Sequence, residues 1–62
     1  MNTWYELSLV LESEHKKIHI LDTQSLEFAE DKKSECIATG LNVVITEYEI
    51  KNGVPVLVGE IK

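Results

Sequence analysis

Residues Val43 to Ile61 read VVITEYEIKNGVPVLVGEI, and this stretch decides the fold of the 62-residue chain. Two runs rich in β-branched residues, Val43 to Ile50 and Val54 to Ile61, flank the dipeptide Asn52-Gly53. Asn-Gly between two such runs is the strongest short signal for a two-residue hairpin turn, because both residues tolerate the positive φ that the turn requires. We therefore predict two antiparallel strands joined at this turn.

A two-residue turn also determines which residues face each other across this hairpin. The predicted pairs are Lys51 with Val54, Ile50 with Pro55, Tyr48 with Leu57, Thr46 with Gly59 and Val44 with Ile61. These pairs form one largely apolar face, which we predict to lie under a helix. The single proline, Pro55, has no N–H to donate to a strand ladder, so it indicates an edge strand or a non-donating position.

The first third of the chain predicts a second hairpin. From Thr3 to Leu11 the side chains alternate with the period of a strand. The predicted inner face carries Tyr5, Leu7, Leu9 and Leu11, and the predicted outer face carries Trp4, Glu6, Ser8 and Val10. Residues 12–17 have no apolar side chain and predict a loop, after which Ile18 to Leu21 predict the second strand.

Residues 22–28 are open to more than one interpretation, as strand, loop or helix. Asp22-Thr23-Gln24-Ser25 interrupts the apolar pattern. Leu26 and Phe28 nevertheless keep the parity of Ile18 and Ile20, which favours a chain that stays extended through Phe28 with a bend or bulge between.

The segment from Ala29 to Thr39 has a helical pattern, with acidic residues early and Gly40 where a left-handed C-cap belongs. We predict one helix of about three turns there. The alternative is a longer helix that begins near Ser25 and places Phe28 off the apolar stripe. The predicted fold is α+β of order ββαββ, a four-stranded antiparallel sheet with one helix packed on one face, as a single small domain over residues 1–62.

The composition disfavours nucleic acid as a partner. Eleven acidic residues against six basic ones give a net charge of −5, so a partner held by charge is expected to be basic. All six cations are lysines, and arginine, the residue that forks onto phosphate and guanine, is absent. The pairs Lys16-Lys17 and Lys32-Lys33 are both flanked by acids, so neither forms a track for phosphates.

The expected compartment is the reducing cytoplasm, because the lone Cys36 has no partner for an internal disulfide. The start of the chain has no basic leader, and no apolar run approaches the roughly 18 residues that span a membrane. We expect a soluble cytoplasmic protein that keeps its own N-terminus and has no membrane partner.

No pattern of catalytic or metal-binding residues is complete. His15 and His19 have the spacing of metal ligands on a helix, but they fall on a predicted loop and a predicted strand. Cys36 is interpreted as a core residue. Glu47 and Glu49 share one face of a strand and are interpreted as an acidic rim, because a chain this small has no room for a cleft that would raise one pKa. We predict no enzyme activity, no cofactor and no metal.

The face of the sheet opposite the helix is the candidate protein interface, because alternate valines beside a tryptophan are typical of protein contacts. The predicted interface residues are Trp4, Glu6, Val10, Ile45, Glu47, Glu49, Val54, Val56, Val58 and Glu60. The alternative is that the valines reflect β-propensity alone and that Trp4 folds over the sheet edge as a lid.

Two hypotheses of function follow. The first is a non-enzymatic protein-binding module, and the second is a small homo-oligomeric scaffold, with a homodimer expected. A nucleic-acid-binding domain is disfavoured further because Trp4 and Tyr5 point to opposite faces and form no stacking platform. No family motif covers the chain. In size, acidity and layout it resembles the small accessory and host-inhibitory proteins of bacteriophages, which implies an inhibitor that occupies a basic surface of a partner protein.

Overall fold

Four antiparallel strands and one helix form the fold in the computed structural model, which describes residues 2–61. The elements are β1 (Thr3–Leu11), β2 (Lys16–Thr23), α1 (Leu26–Ala38), β3 (Val43–Lys51) and β4 (Val54–Ile61), with a single 3-10 turn over Glu12–Glu14. The strands lie in one sheet in the order β2-β1-β3-β4, so β1 and β3 are central and β2 and β4 are its edges. The predicted ββαββ architecture is confirmed.

The Asn52-Gly53 turn has the conformation that its sequence predicts. Asn52 has a φ of 54° and Gly53 a φ of 76°, the two positive values of a type I′ turn. Next to the turn the predicted register is also confirmed, since the observed pairs are Lys51 with Val54, Ile50 with Pro55 and Tyr48 with Leu57.

A β-bulge at Val58 changes the register beyond these pairs. Tyr48 pairs with Leu57 but its neighbour Glu47 pairs with Gly59, so β4 has one extra residue at this point. Gly59 has a φ of 151°, a conformation that residues with a Cβ rarely adopt. The predicted pairs of Thr46 with Gly59 and Val44 with Ile61 are therefore wrong. The observed pairs are Thr46 with Glu60 and Ile45 with Ile61.

The face of β3 under the helix is the opposite of the predicted one. Leu7 of β1 pairs with Ile45, and both are fully or almost fully buried together with Ala29 of α1 and Val43. The predicted inner face of β1 is correct. Because its residues pair with the odd-numbered residues of β3, those residues of β3 also lie on the helix side. The prediction for β3 failed because this strand is apolar on both faces near its start, so the hairpin pattern alone does not choose between them.

The helix begins earlier than the main prediction and follows the alternative that starts near Ser25. The N–H of Phe28 donates to Ser25 Oγ at 3.1 Å, which makes Ser25 the N-cap of α1. Phe28 is off the buried stripe and exposed, whereas Ala29 packs on the sheet. The extended chain through Phe28 is therefore wrong, and the capping hydrogen bond is the physical reason. Gly40 follows the helix with a φ of 87°, as predicted.

A second bulge lies in β2, which is longer than predicted at both ends. Leu7 pairs with Leu21 but Ser8 pairs with His19, so Ile20 is the extra residue. Side chains three residues apart normally point to opposite faces of a strand, and one extra residue brings them to the same face. His19 and Asp22 consequently lie together on the open face of the sheet, the face that α1 does not cover.

Candidate functional site

Strand β4 is an exposed apolar edge of the sheet. It pairs with β3 on one side, and no strand among residues 2–61 pairs with its other side. Its first five residues are all apolar, and Val54, Val56, Leu57 and Val58 are 58%, 41%, 64% and 53% exposed. An edge strand presents backbone N–H and C=O groups to which another strand can be added. This strand therefore combines an edge position with exposed apolar side chains.

The helix leaves β4 open because it packs on the other strands. The main contacts of α1 are with β3, β1 and β2. The pairing of Val54 with Lys51 and of Val56 with Glu49 places both valines on the helix side of the sheet, beyond the area that the helix covers. Leu57 pairs with Tyr48 and points to the open face. Exposed apolar side chains thus lie on both sides of this edge.

The opposite edge, β2, has features that protect an edge strand from pairing. Charged side chains that include Lys16, Lys17 and Asp22 project from it, and the bulge at Ile20 distorts its backbone. Charges and bulges are the usual means by which proteins block unwanted pairing at an edge. On β4 the corresponding features are Pro55, the bulge at Val58 and the single charge of Glu60 near the end of the strand, so its first five residues are less protected than β2.

The ten predicted interface residues do not share one face, because the bulge at Val58 and the β1–β3 register redistribute them. The open face holds Trp4, Glu6, Val10 and Glu60. The helix side holds Glu47, Glu49, Val54 and Val56. Val58 is the bulged residue of β4. Ile45, with 1% exposure, lies in the core and is no surface residue, so its assignment to the outer face is wrong.

Acidic side chains flank the apolar part of β4 on the helix side. Glu49 lies opposite Val56, and Glu47 lies opposite Gly59. The ammonium of Lys51 is 3.7 Å from Glu49 Oε2, and both side chains are well exposed. Exposed ion pairs of this kind contribute little energy and rearrange easily. These carboxylates are therefore available to a basic group on a partner.

On the open face, aromatic and acidic side chains form a network next to the sheet centre. The hydroxyl of Tyr48 donates to Glu6 Oε1 at 3.3 Å, and the ring centroids of Trp4 and Tyr48 are 5.9 Å apart. Burial of the hydroxyl raises the pKa of Tyr48 above its usual range, and the nearby Glu6 carboxylate raises it further. Tyr5 packs against the core on the helix side, so the predicted opposite orientation of Trp4 and Tyr5 is confirmed.

An ion pair between the two edge strands spans the same face. The ammonium of Lys17 on β2 donates to Glu60 Oε2 on β4 at 2.5 Å, over the two strands between them. This hydrogen bond raises the pKa of Lys17 above its usual value. Ser8 and Thr46 are buried although they belong to this face. The centre of the open face is therefore covered by the protein's own side chains and is a poorer docking surface than β4.

A cluster of three side chains with metal-ligand chemistry lies at the β2 side of the open face. His19 Nε2 is 3.0 Å from Asp22 Oδ1, and Glu6 of β1 pairs with Asp22 across the strands. One ligand atom from each of the three residues lies within 4.8 Å of the others. Sequence reasoning missed this cluster because residues three apart in a regular strand face opposite sides, and nothing in the sequence marks a bulge at Ile20.

Two shallow clefts adjoin the N-terminal hairpin. The larger, of about 760 Å³, lies at the turn between β1 and β2 and is lined by Val10, Leu11, Glu12, His15, Lys16 and Lys17. The smaller, of about 390 Å³, lies beside the acidic end of the cluster and is lined by Trp4, Asp22, Thr23 and Gln24. Cys36 packs against the core on the helix side, as predicted for a core cysteine, whereas His19 lies on the open face. The sheet therefore separates this thiol from that imidazole.

Comparison of the chain with protein-family models, with curated proteins and with solved structures found no match. Its surfaces must therefore be interpreted from their own chemistry. Among residues 2–61, no helix is long and apolar enough to cross a membrane.

Proposed function

We propose that this protein is a non-enzymatic protein-binding module that adds a strand of a partner protein to the free edge of β4. The single observation that carries the proposal is the run of five apolar residues, Val54 to Val58, exposed along a strand with one unpaired side. Strand addition uses backbone hydrogen bonds for affinity and side-chain pockets for specificity. Exposed apolar patches on small proteins usually mark contacts with other proteins.

The apolar side chains of β4 supply only part of the free energy that association needs. Complete burial of a valine or leucine side chain contributes about 1.5–3 kcal/mol, and these four are already about half buried. Covering them therefore contributes roughly 3–6 kcal/mol, against a cost of about 4–15 kcal/mol for lost translational and rotational freedom. Backbone hydrogen bonds and charge must supply the remainder, so the partner segment has to be extended and electrostatically complementary.

Charge favours a basic partner. The chain has a net charge of −5, and Glu47 and Glu49 lie on the helix side of β3 directly beside β4. In an extended segment whose alternate residues are lysine or arginine, those side chains would lie on the helix side, with their aliphatic stems on Val54 and Val56 and their charges toward the two carboxylates. The apolar residues between them would meet Leu57 on the open face. A protein that captures such a segment in the cytoplasm occupies a basic surface of its partner, which is the action of a phage-type accessory or inhibitory protein.

The alternative occupant of the same edge is a second copy of this chain. No residue from Val54 to Gly59 carries a charge, so two antiparallel β4 strands meet without repulsion along most of their length. A two-fold axis at the edge would join two sheets into one continuous sheet. The protein would then be a small homo-oligomeric scaffold, with its binding edge consumed by assembly.

Light scattering behind size exclusion distinguishes these two occupants. A mass near 7.0 kDa at every concentration is the result expected for a module with a foreign partner. A mass near twice that value, lost in Leu57→Lys but kept in Ile37→Lys, would contradict the module and support the scaffold. Ile37 is the matched control because it is also more than half exposed but lies on the helix.

Binding itself is tested with a synthetic peptide of about eight residues, the length of β4, in which valine alternates with lysine. When 15N-labelled protein is titrated with this peptide, the amide signals of β4 are expected to shift most. At high salt the binding is expected to be weaker, because salt screens the attraction between the charges. A peptide of alternating valine and glutamate is the charge control. The proposal is refuted if the shifts are spread away from β4, or if Leu57→Lys and Ile37→Lys bind the basic peptide equally.

A further inference from the structure

We propose that Glu6, His19 and Asp22 form a binding site for a divalent transition-metal ion of the Zn²⁺ type at the β2 side of the open face. The proposal concerns a different surface from β4 and does not depend on the proposed partner. It rests on the donor atoms, on the bulge that brings them together, and on the space beside them.

The donor set is mixed, with one imidazole nitrogen and two carboxylates. This combination is typical of Zn²⁺ sites, in which histidine nitrogen and carboxylate oxygen bind at about 2.0–2.2 Å. Mg²⁺ and Ca²⁺ prefer oxygen ligands throughout, so the imidazole favours a transition metal over both. Three protein ligands leave at least one coordination position for water.

The spacing of the donors is close to that of a coordination sphere. Bonds of about 2.0–2.2 Å place neighbouring donor atoms about 3–3.5 Å apart. His19 Nε2 and Asp22 Oδ1 are already 3.0 Å apart, and the Glu6 ligand atom lies within 4.8 Å of both. His19 and Asp22 are each about half exposed, so an ion can reach them from solvent.

The bulge at Ile20 brings His19 and Asp22 to the same face of β2. Without the extra residue, His19 and Asp22 would lie on opposite faces of β2. With it, Asp22 lies opposite Glu6 and His19 lies opposite Ser8, so that three donors from two neighbouring strands converge. The ion would then join β1 to the exposed edge strand β2.

The surroundings of the cluster hold its members and leave room for an ion. Tyr48 donates a hydrogen bond to Glu6 Oε1, which restricts that carboxylate, as outer-shell partners of metal ligands commonly do. Lys17, the cation on the same face of β2, has its ammonium bound to Glu60 on the far strand. The cleft of about 390 Å³ that Asp22 shares with Trp4 has space for water ligands and brings an indole next to the site.

The test is titration of tag-free protein with ZnCl₂, followed by isothermal calorimetry and by Trp4 fluorescence. One ion per chain is expected, with Zn²⁺ bound at least tenfold more tightly than Mg²⁺. At a hundredfold excess of Zn²⁺ over its Kd, the thermal midpoint is expected to rise by roughly 20 °C. With Co²⁺ in place of Zn²⁺, a visible absorption band should appear and should be lost in His19→Ala.

The chain supplies its own control in its other histidine. His19→Ala and Asp22→Asn are expected to lower Zn²⁺ affinity at least tenfold. His15→Asn should leave it unchanged, since His15 follows the 3-10 turn, lies outside the cluster, and has a φ of 54° that asparagine tolerates. Far-UV circular dichroism without metal checks that each variant folds.

Three results would overturn the proposal. An equal loss of Zn²⁺ affinity in His15→Asn and in His19→Ala would mean that any exposed imidazole binds the ion. A stoichiometry of one ion per two chains would mean that the site is shared between copies. Equal Zn²⁺ affinity in the unsubstituted protein and in His19→Ala would mean that the cluster binds no ion.

Discussion

Substitution of Ile45 is the sharpest test of the fold, because it decides which face of β3 lies inside. Ile45 is 1% exposed and packs with Leu7 and Ala29, whereas its neighbour Val44 is only partly buried and lies on the open face. The pattern of the C-terminal hairpin alone predicts the reverse. Ile45→Ala and Val44→Ala therefore distinguish the two arrangements within one strand.

The expected cost of Ile45→Ala follows from its burial. The substitution removes three methylene-sized groups, which are worth about 2.4 kcal/mol in transfer free energy, and the cavity raises the cost to about 3–4 kcal/mol. A domain of this length has a total free energy of unfolding of about 3–9 kcal/mol. Val44→Ala removes two such groups from a partly exposed site, and its expected cost is about 1 kcal/mol or less.

The assay is urea denaturation monitored by the fluorescence of Trp4. With a slope of about 1 kcal/mol/M for a chain this small, Ile45→Ala should lower the midpoint by about 3 M and Val44→Ala by less than about 1 M. If Ile45→Ala leaves too little folded protein, Ile45→Val should still cost about 0.5–1.5 kcal/mol. An equal or larger cost for Val44→Ala than for Ile45→Ala would refute the assignment of the faces.

Three further predictions concern the cap, the bulge and the open face. Ser25→Ala should lower the free energy of unfolding by about 1 kcal/mol, measured by circular dichroism, because it removes the hydrogen bond from the Phe28 N–H; no loss would contradict the capping role. Gly59→Ala should cost about 1–3 kcal/mol in urea denaturation because of the φ of 151°, and a neutral result would exclude backbone strain at the bulge. The pKa values of Lys17 and Tyr48 are both raised in the folded protein. The stability that these two groups contribute is therefore complete below their pKa values in the unfolded chain, near 10, and is lost as the pH rises through their pKa values in the folded protein. The thermal midpoint should therefore fall above about pH 10, and less steeply in Tyr48→Phe; equal slopes would contradict this role of the hydroxyl.

Local chemistry accounts for the elements that the sequence predicts correctly. The Asn52-Gly53 turn and the register beside it depend on two residues that accept positive φ. The strand β1 depends on the apolar residues at every second position from Tyr5 to Leu11. The start of the helix was hard to predict, because a serine such as Ser25 is common both in a turn before an extended segment and at the N-cap of a helix. The observed cap shows that the second role prevails.

The candidate site was only partly predictable. Sequence reasoning selected the valines of β4 as interface residues, and they are exposed, as such a role requires; the interface itself stays a prediction. The separation of Glu47 and Glu49 from Trp4 and Glu6 by the sheet was not predicted. The cluster of His19 with Asp22 was not predicted either. The first depends on the pairing of β1 with β3, which are distant in the chain, and the second depends on the bulge at Ile20.

Residues close together in the chain account for the order of the elements, the Asn52-Gly53 turn and the apolar character of β4, and composition accounts for the acidic charge, so all of these were readable before the fold was known. Tertiary structure decided which face of β3 is buried and which side chains share the open face. The physical reason is the two-residue period of a strand: one extra residue at Ile20 or Val58 moves every later side chain to the other face, and the pairing with β1 selects the face of β3 that the helix covers.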